Sequence, residues 1–154
     1  MTGHQLHYFE IGIMEDAKDK DIGVGFCEEH VPLDSLLGFD KGSWGYHGDG
    51  NAFPSNDCGK YGPQYAQEDV VGCGVDSDKE VAFFTLNGKY LGVAFRGIKG
   101  KQYSAVSFDS VSEGCRVLAN FGQKPFLFDA STWNAEEERK AQYRQLRRIV
   151  RDDE

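Results

Sequence analysis

Four places in this 154-residue sequence hold residue types at spacings that could do chemistry. His47 and Asp49, within Ser43-Trp-Gly-Tyr-His-Gly-Asp49, have the makings of a general-base pair in which a carboxylate orients an imidazole. Strand alternation gives them a shared face, but no nucleophile stands at a recognisable elbow and no oxyanion donors accompany them. His47 reads instead as a hydrogen-bonded structural histidine. Asp49-x-Asn51 offers the first two ligands of a calcium loop, yet the Gly and the terminal Glu are missing from their places. Gly72-Cys-Gly74 has neither the third Gly nor the following helix of a phosphate-binding fingerprint. Cys27 and His30 have CxxH spacing, and two ligands alone do not make a metal site. The expectation is a protein that is not an enzyme and needs no cofactor or metal.

The elements that position these residues are β-rich. The chain has 19 Gly and 11 Phe, well above the average Gly usage of about 7%. Leu, Ile, Val and Phe together number 36, enough for a core built on aromatics with many tight turns. The formal charge of −8 is unevenly spread. Residues 133–154 hold six basic and six acidic side chains, so residues 1–132, with 11 and 19, carry all of it. An acidic body gives no footprint for a phosphate backbone and disfavours anionic membranes, so neither nucleic acid nor membrane is an expected partner. No apolar run has the length of a membrane span, and residues 1–20 lack a signal peptide's apolar stretch. Cys27, Cys58, Cys73 and Cys115 are widely spread, and three sit beside apolar strand residues as reduced cysteines do. Cys58, in a polar loop, is the expected exposed thiol. The expected location is the cytoplasm, extending to the nucleus.

Alternation predicts a strand over His7–Met14 with Phe9, Ile11 and Ile13 on one face, and another over Asp21–Cys27 with Ile22, Val24 and Phe26. Gly23 and Gly25, opposite that second face, suggest close approach by another backbone or side chain. A long connection follows from Cys27 to Lys41, strand character resumes over Ser43–Phe53, and Pro54–Gln67 is a polar loop. Val70–Val75 suits a buried strand. Glu80–Phe95 is a hairpin turning at Asn87-Gly88, which supplies the positive φ values of a type I′ turn. Tyr103–Phe108 and Cys115–Phe121 read as a further pair, and Phe126–Phe128 ends the β region. Beyond Ala130 the pattern predicts an amphipathic helix over 133–151, capped by Asn134 with Glu137 as its capping-box partner. Its apolar stripe is Tyr143, Leu146, Ile149 and Val150, and its basic stripe is Lys140, Arg144, Arg147 and Arg151. Such a helix can bind membranes or acidic partners, while docking on its own domain or leading to the next is the favoured reading.

These residues resemble, in order, a SPRY domain. The likeness runs through Tyr8-Phe9-Glu10, Ile22-Gly-Val-Gly-Phe26, Gly38-Phe39, Ser43–Asp49, Tyr61-Gly62, Gly72-Cys-Gly74, Phe83–Gly88, Leu91–Phe95 and Ala119–Gly122. It covers roughly residues 7–129. Tyr46–Asp49, Asp69–Cys73 and Ala119–Phe126 are similar to the Ran-binding-protein-M branch, where a short helix leads on to LisH and CTLH helices. Val93–Gly100 resembles the SPRY domains of SOCS-box substrate receptors.

The resemblance implies an all-β antiparallel sandwich over residues 1–129, followed by a helical extension over 130–154. It also implies recognition of a protein or short peptide through loops at one edge, as part of a ubiquitin-ligase-type complex or scaffold. In the SOCS-box receptors an aromatic in the loop corresponding to Phe39 helps hold a peptide, and a second, from the loop corresponding to Val111–Gly114, completes the pocket. This chain has Ser112 at the second place, so the same peptide specificity is not implied. The expected partner-binding surface is Phe39, Asp40 and Lys41 with Val111, Ser112 and Glu113, flanked by Trp44 and Tyr46, of which Trp44 reads rather as core. The alternative is a scaffold or oligomerisation role for the C-terminal helix. SPRY domains carry further strands before the Tyr-Phe-Glu strand, so the expectation includes an uncovered sheet edge and self-association through it or through the helix.

Overall fold

Large apolar side chains at every second position build two sheets that face each other. The computed structural model describes residues 6–15, 22–32, 34–54, 60–108, 114–134, 140, 143, 144, 146 and 147. The strands are β1 (Leu6–Glu15), β2 (Ile22–Cys27), β3 (Ser43–His47), β4 (Ala52–Phe53), β5 (Val70–Asp76), β6 (Val81–Leu86), β7 (Lys89–Arg96), β8 (Tyr103–Phe108) and β9 (Arg116–Asn120). One sheet has the order β7-β6-β5-β1-β9 and the other β4-β3-β2-β8, and the pairings are antiparallel. Between them lie Phe9, Ile11 and Ile13 of β1, Val24 and Phe26 of β2, Tyr46 of β3, Cys73 of β5 and Phe84 of β6. The all-β antiparallel sandwich expected from the sequence is the architecture observed.

The hairpin is as expected, with Asn87 at φ 51° and Gly88 at φ 84° joining β6 to β7. Glycines permit the close packing that alternation suggested. A Cβ on Gly25 would stand 1.9 Å from Trp44 O, and one on Gly74 would stand 2.3 Å from the Phe83 ring. The polar loop 54–67 contributes more to the core than its composition suggests. Tyr65 is buried, its Oη lying 2.6 Å from Tyr46 O and 3.0 Å from Ile22 O.

The outer face of the five-stranded sheet is closed by a strap, not by another strand. Residues Phe126–Phe128, expected to end the β region, are not a strand, because their backbone is claimed by a side chain. Glu10, buried on β1, accepts hydrogen bonds from Leu127 N at 3.1 Å and Phe128 N at 3.2 Å. Farther along, Trp133 stacks on Phe83 at 4.4 Å between centroids and donates its Nε1–H to Asp76 Oδ2 at 2.9 Å. Val81, Phe83, Phe128 and Trp133 thus form a second apolar cluster with Tyr8 and Tyr90 packed against it. The sandwich's packing therefore reaches past residue 129.

Two expectations need correction. β8 and β9 do not pair with each other: β8 pairs with β2 and β9 with β1, so the chain changes sheets between them. The C-terminal amphipathic helix is not supported as an element. A 3-10 turn over Ala130–Thr132 is capped by Asp129, whose side chain accepts from Ser131 N, and the described positions 133, 134, 140, 143, 144, 146 and 147 are helical without making up a continuous described helix. Trp133, expected to begin the helix, has helical backbone and is held in the second cluster. Of the segment beyond it, only positions 134, 140, 143, 144, 146 and 147 are described, and the rest of the expected helix lies outside the described residues.

Candidate partner-binding site

The connection between β2 and β3 is a loop with a closed neck. Glu28 N donates to Gly42 O at 2.8 Å, which brings its two ends together. Inside it, Ser43 Oγ accepts from Gly38 N at 2.7 Å and donates to Asp40 O at 3.0 Å. Gly38, at φ 92°, makes the turn that no L side chain takes readily, and its Cβ position would fall 2.2 Å from Phe53 O. Leu37 tucks beneath, over Gly45, with its N–H donating to Ser107 Oγ of β8 at 3.1 Å.

This frame holds Phe39 out. The ring is 59% exposed, yet it stacks on His47 at 5.8 Å and 15° and meets Phe53 edge-on at 5.1 Å. His47 is itself buried, its Nε2 2.7 Å from Leu37 O. A carbonyl oxygen only accepts, so the ring carries its proton on Nε2. His47 is thus the hydrogen-bonded structural histidine the sequence suggested, and it is also the platform under an exposed aromatic. Asp49, its imagined carboxylate partner, accepts from the Asn51 backbone and side chain at 2.9 and 3.1 Å.

The expected surface residues separate into three groups. Phe39, Asp40 and Lys41 lie together on the loop, with Asp40 partly buried and Lys41 exposed. Asp40 Oδ2 is buried and has no hydrogen-bond partner among the described residues. Trp44 and Tyr46, two residues apart, share the inner face of β3. Trp44 stacks on Phe26 at 5.2 Å and is only partly buried. Tyr46 is fully buried, its hydroxyl donates to Pro63 O, and burial pushes its ionisation well above the usual range, so it is removed from the surface. Val111, Ser112 and Glu113 lie outside the described residues. His47 and Phe53, which fix the angle of Phe39, were not joined to it by the sequence, since nothing local links them.

A groove of about 480 Å³ runs beside the loop, between Val31, Pro32 and Leu36 on one side and β8 on the other. Cys27 lines it, and desolvation pushes its thiol above the ordinary value. Cys27, Cys73 and Cys115 form no disulfide, while Cys58 lies outside the described residues. Among the described residues no group of three or more His, Cys, Asp or Glu is placed to hold a metal ion, and no helix is long and apolar enough to cross a membrane.

Set beside known proteins, the chain matches the family profile described as SPRY domain over residues 6–124. It is 42% identical over 126 residues to a Drosophila melanogaster protein called Ran-binding proteins 9/10 homolog, covering 80% of this chain and 13% of that one. It is 39% identical over 139 residues to Ran-binding protein 9 of Homo sapiens, covering 89% and 19%. The Ran-binding protein M homolog of Arabidopsis thaliana is 34% identical over 138 residues, covering 88% and 29%. The chain therefore spans less than a third of the length of these relatives. A crystal structure of a human SPRY domain superposes with a TM-score of 0.68 at 23% identity, covering 81% of this chain and 90% of that one. The SPRY domain of human HERC1 does so with the same TM-score at 21% identity, covering 81% and 79%. These two likenesses concern the fold alone.

Proposed function

The chain belongs to the SPRY-domain family, whose members serve as protein-interaction modules, and from that premise we propose that it recognises a protein or short peptide through the Phe39–Lys41 loop and residues 111–113. The observation that carries this reading is the exposure of Phe39 together with its fixed orientation on His47 and Phe53. An aromatic held ready loses little freedom when a partner closes over it, which is what an interface anchor needs. Phe39→Ala should abolish capture of the partner and leave the circular dichroism unchanged. Loss of both would make the residue part of the fold, and retained capture would remove the loop from the interface.

The finer part of the proposal is a substrate-recognition or scaffold role within a ubiquitin-ligase-type complex. Similarity to Ran-binding proteins supports the scaffold half. Likeness of Val93–Gly100 to SOCS-box substrate receptors supports the ligase half. Proximity labelling in cells should enrich ubiquitin-ligase subunits, and their absence would leave another recognition role. The proposed setting is the cytoplasm, extending to the nucleus, supported by the reduced state of Cys27 and Cys73.

Self-association is a second reading, favoured by Leu118, 53% exposed on the edge strand β9. Light scattering of a clean monomer at high concentration would remove it. A scaffold role for the C-terminal segment is tested by deleting residues 135–154, a cut that spares the buried Trp133.

A further inference from the structure

We propose that the groove beside the Phe39 loop takes an extended, basic segment of a partner protein as an added strand on the outer edge of β8, with Arg or Lys side chains reaching Asp34 and Asp40. The inference rests on the recognition reading above and names its partner's chemistry.

The edge is open. β8 ends the four-stranded sheet, and among the described residues no strand pairs with its outer side. Its pairing with β2 runs without a register shift from Ile22↔Phe108 to Cys27↔Tyr103, so the strand is regular. It contains no Pro, no Lys and no bulge, the devices that usually blunt an edge. A row of unpaired N–H and C=O groups is a template for an extended peptide.

The groove follows that edge. Four consecutive residues, Ala105 to Phe108, line it, and consecutive strand residues point to opposite faces. Cys27 of β2 and Ser43 of β3 line it as well, so the cavity extends from the outer face of the sheet, beneath the loop, to the edge of β8. Its other wall includes the apolar Val31, Pro32 and Leu36, and Phe108 is 40% exposed. An added strand would therefore find apolar contacts for some of its side chains.

Charge selects the segment. Asp34 and Asp40 both line the groove, and among the described residues no Lys, Arg or His does. Glu28 and Glu29 lie on the same loop. Asp40 Oδ2 is an acceptor already stripped of solvent and without a donor among the described residues. A cationic side chain in the groove would be attracted by both carboxylates, while an acidic segment would meet repulsion from them.

The probe is a fluorescein-labelled peptide, Thr-Val-Arg-Val-Arg-Val-Thr, with two controls: Glu in place of both Arg, and backbone N-methylation at alternate residues. Fluorescence anisotropy with the full chain should show the Arg peptide binding at least about tenfold more tightly than the Glu peptide. N-methylation should weaken it by a similar factor, since a strand without its N–H groups cannot join a sheet. Asp34→Asn and Asp40→Asn should each weaken it by about threefold or more. Asp34 is exposed, so Asp34→Asn tests the charge argument even if Asp40→Asn disturbs the loop. Hydrogen exchange should slow at Ala105–Phe108 on binding. Equal affinity for the Arg and Glu peptides, indifference to N-methylation, or unchanged binding by Asp34→Asn would overturn the inference. So would a dimer in light scattering with those amides protected before peptide is added, because a second copy would then occupy the edge. Phe39→Ala, measured in parallel for cellular partner capture, separates the two ideas. Capture lost in that variant without Arg-over-Glu preference in the wild type sinks only this inference.

Discussion

The two sheets of the sandwich are each overlaid by a segment that is not a strand, and the two overlays are built differently. On the five-stranded sheet, the strap from Phe126 to Trp133 buries its largest ring and gives both buried carboxylates partners: Glu10 takes two backbone N–H groups and Asp76 takes the indole. On the four-stranded sheet, the loop between β2 and β3 is pinned as firmly by its hydrogen bonds, yet its aromatic faces solvent and a carboxylate oxygen goes without a donor. The first arrangement is what stability requires of a buried polar group. The second leaves an aromatic exposed at the surface, which is what recognition requires. Aromatic content alone does not distinguish them; the state of the polar atoms around the ring does.

The largest effect that could break this contrast is on the strap. Trp133→Ala should cost about 3–5 kcal/mol in chemical denaturation, as the loss of a buried aromatic usually does. A cost near that of a surface change would mean the strap merely rests on the sheet. Next is the sheet beneath it. Gly74→Ala places a methyl 2.3 Å from the Phe83 ring, and the forced shift should cost about 1–3 kcal/mol.

The pH dependence sharpens the same contrast. Burial first, and then the Glu10 carboxylate, raise the ionisation of Tyr8 well above its ordinary value, while its hydrogen bond to Thr85 opposes them. A phenol whose folded ionisation lies above its unfolded one contributes stability that is complete below the unfolded value. That contribution drains as pH rises toward the folded value. Between pH about 10 and the folded value, Tyr8 should thus account for a loss of about 1.4 kcal/mol per pH unit. Urea midpoints of wild type and Tyr8→Phe should draw together as pH rises over that range; parallel curves would show that Tyr8 is not shielded. The smallest effect is expected at the other overlay, where Phe39→Ala should change stability by no more than about 0.5 kcal/mol, because the ring is exposed. A larger loss would make Phe39 a structural residue and erase the distinction.

What was legible in the sequence follows from range. The β6–β7 hairpin could be read because Asn87 and Gly88 state their turn in two adjacent residues. The inner faces of β1 and β2 could be read because alternation is local. The placement of β8 and β9 in different sheets could not, because alternation fixes a strand's faces and says nothing of its neighbour. Closure of the strap was equally hidden. Glu10 and Leu127 are 117 positions apart, and Trp133 and Asp76 are 57 apart. A buried-looking Glu between Phe9 and Ile11 was the only local sign that a donor must come from elsewhere. At the candidate site, Phe39 was reached through the family resemblance, whereas its platform of His47 and Phe53 depends on the loop folding back over β3 and β4. Tyr46, expected beside the surface, lies on the inner face, because a side chain two positions from Trp44 must point the same way.

The account's central claim is that the loop side meets partners and the strap side does not. Phe39 and Leu127 test it as a pair, being 59% and 58% exposed on the two overlays. A benzophenone side chain placed at each position in turn, irradiated in cells, reads contact directly. The account predicts discrete protein adducts from position 39 and none above background from position 127. The same adducts from both positions, or adducts from 127 alone, would contradict it.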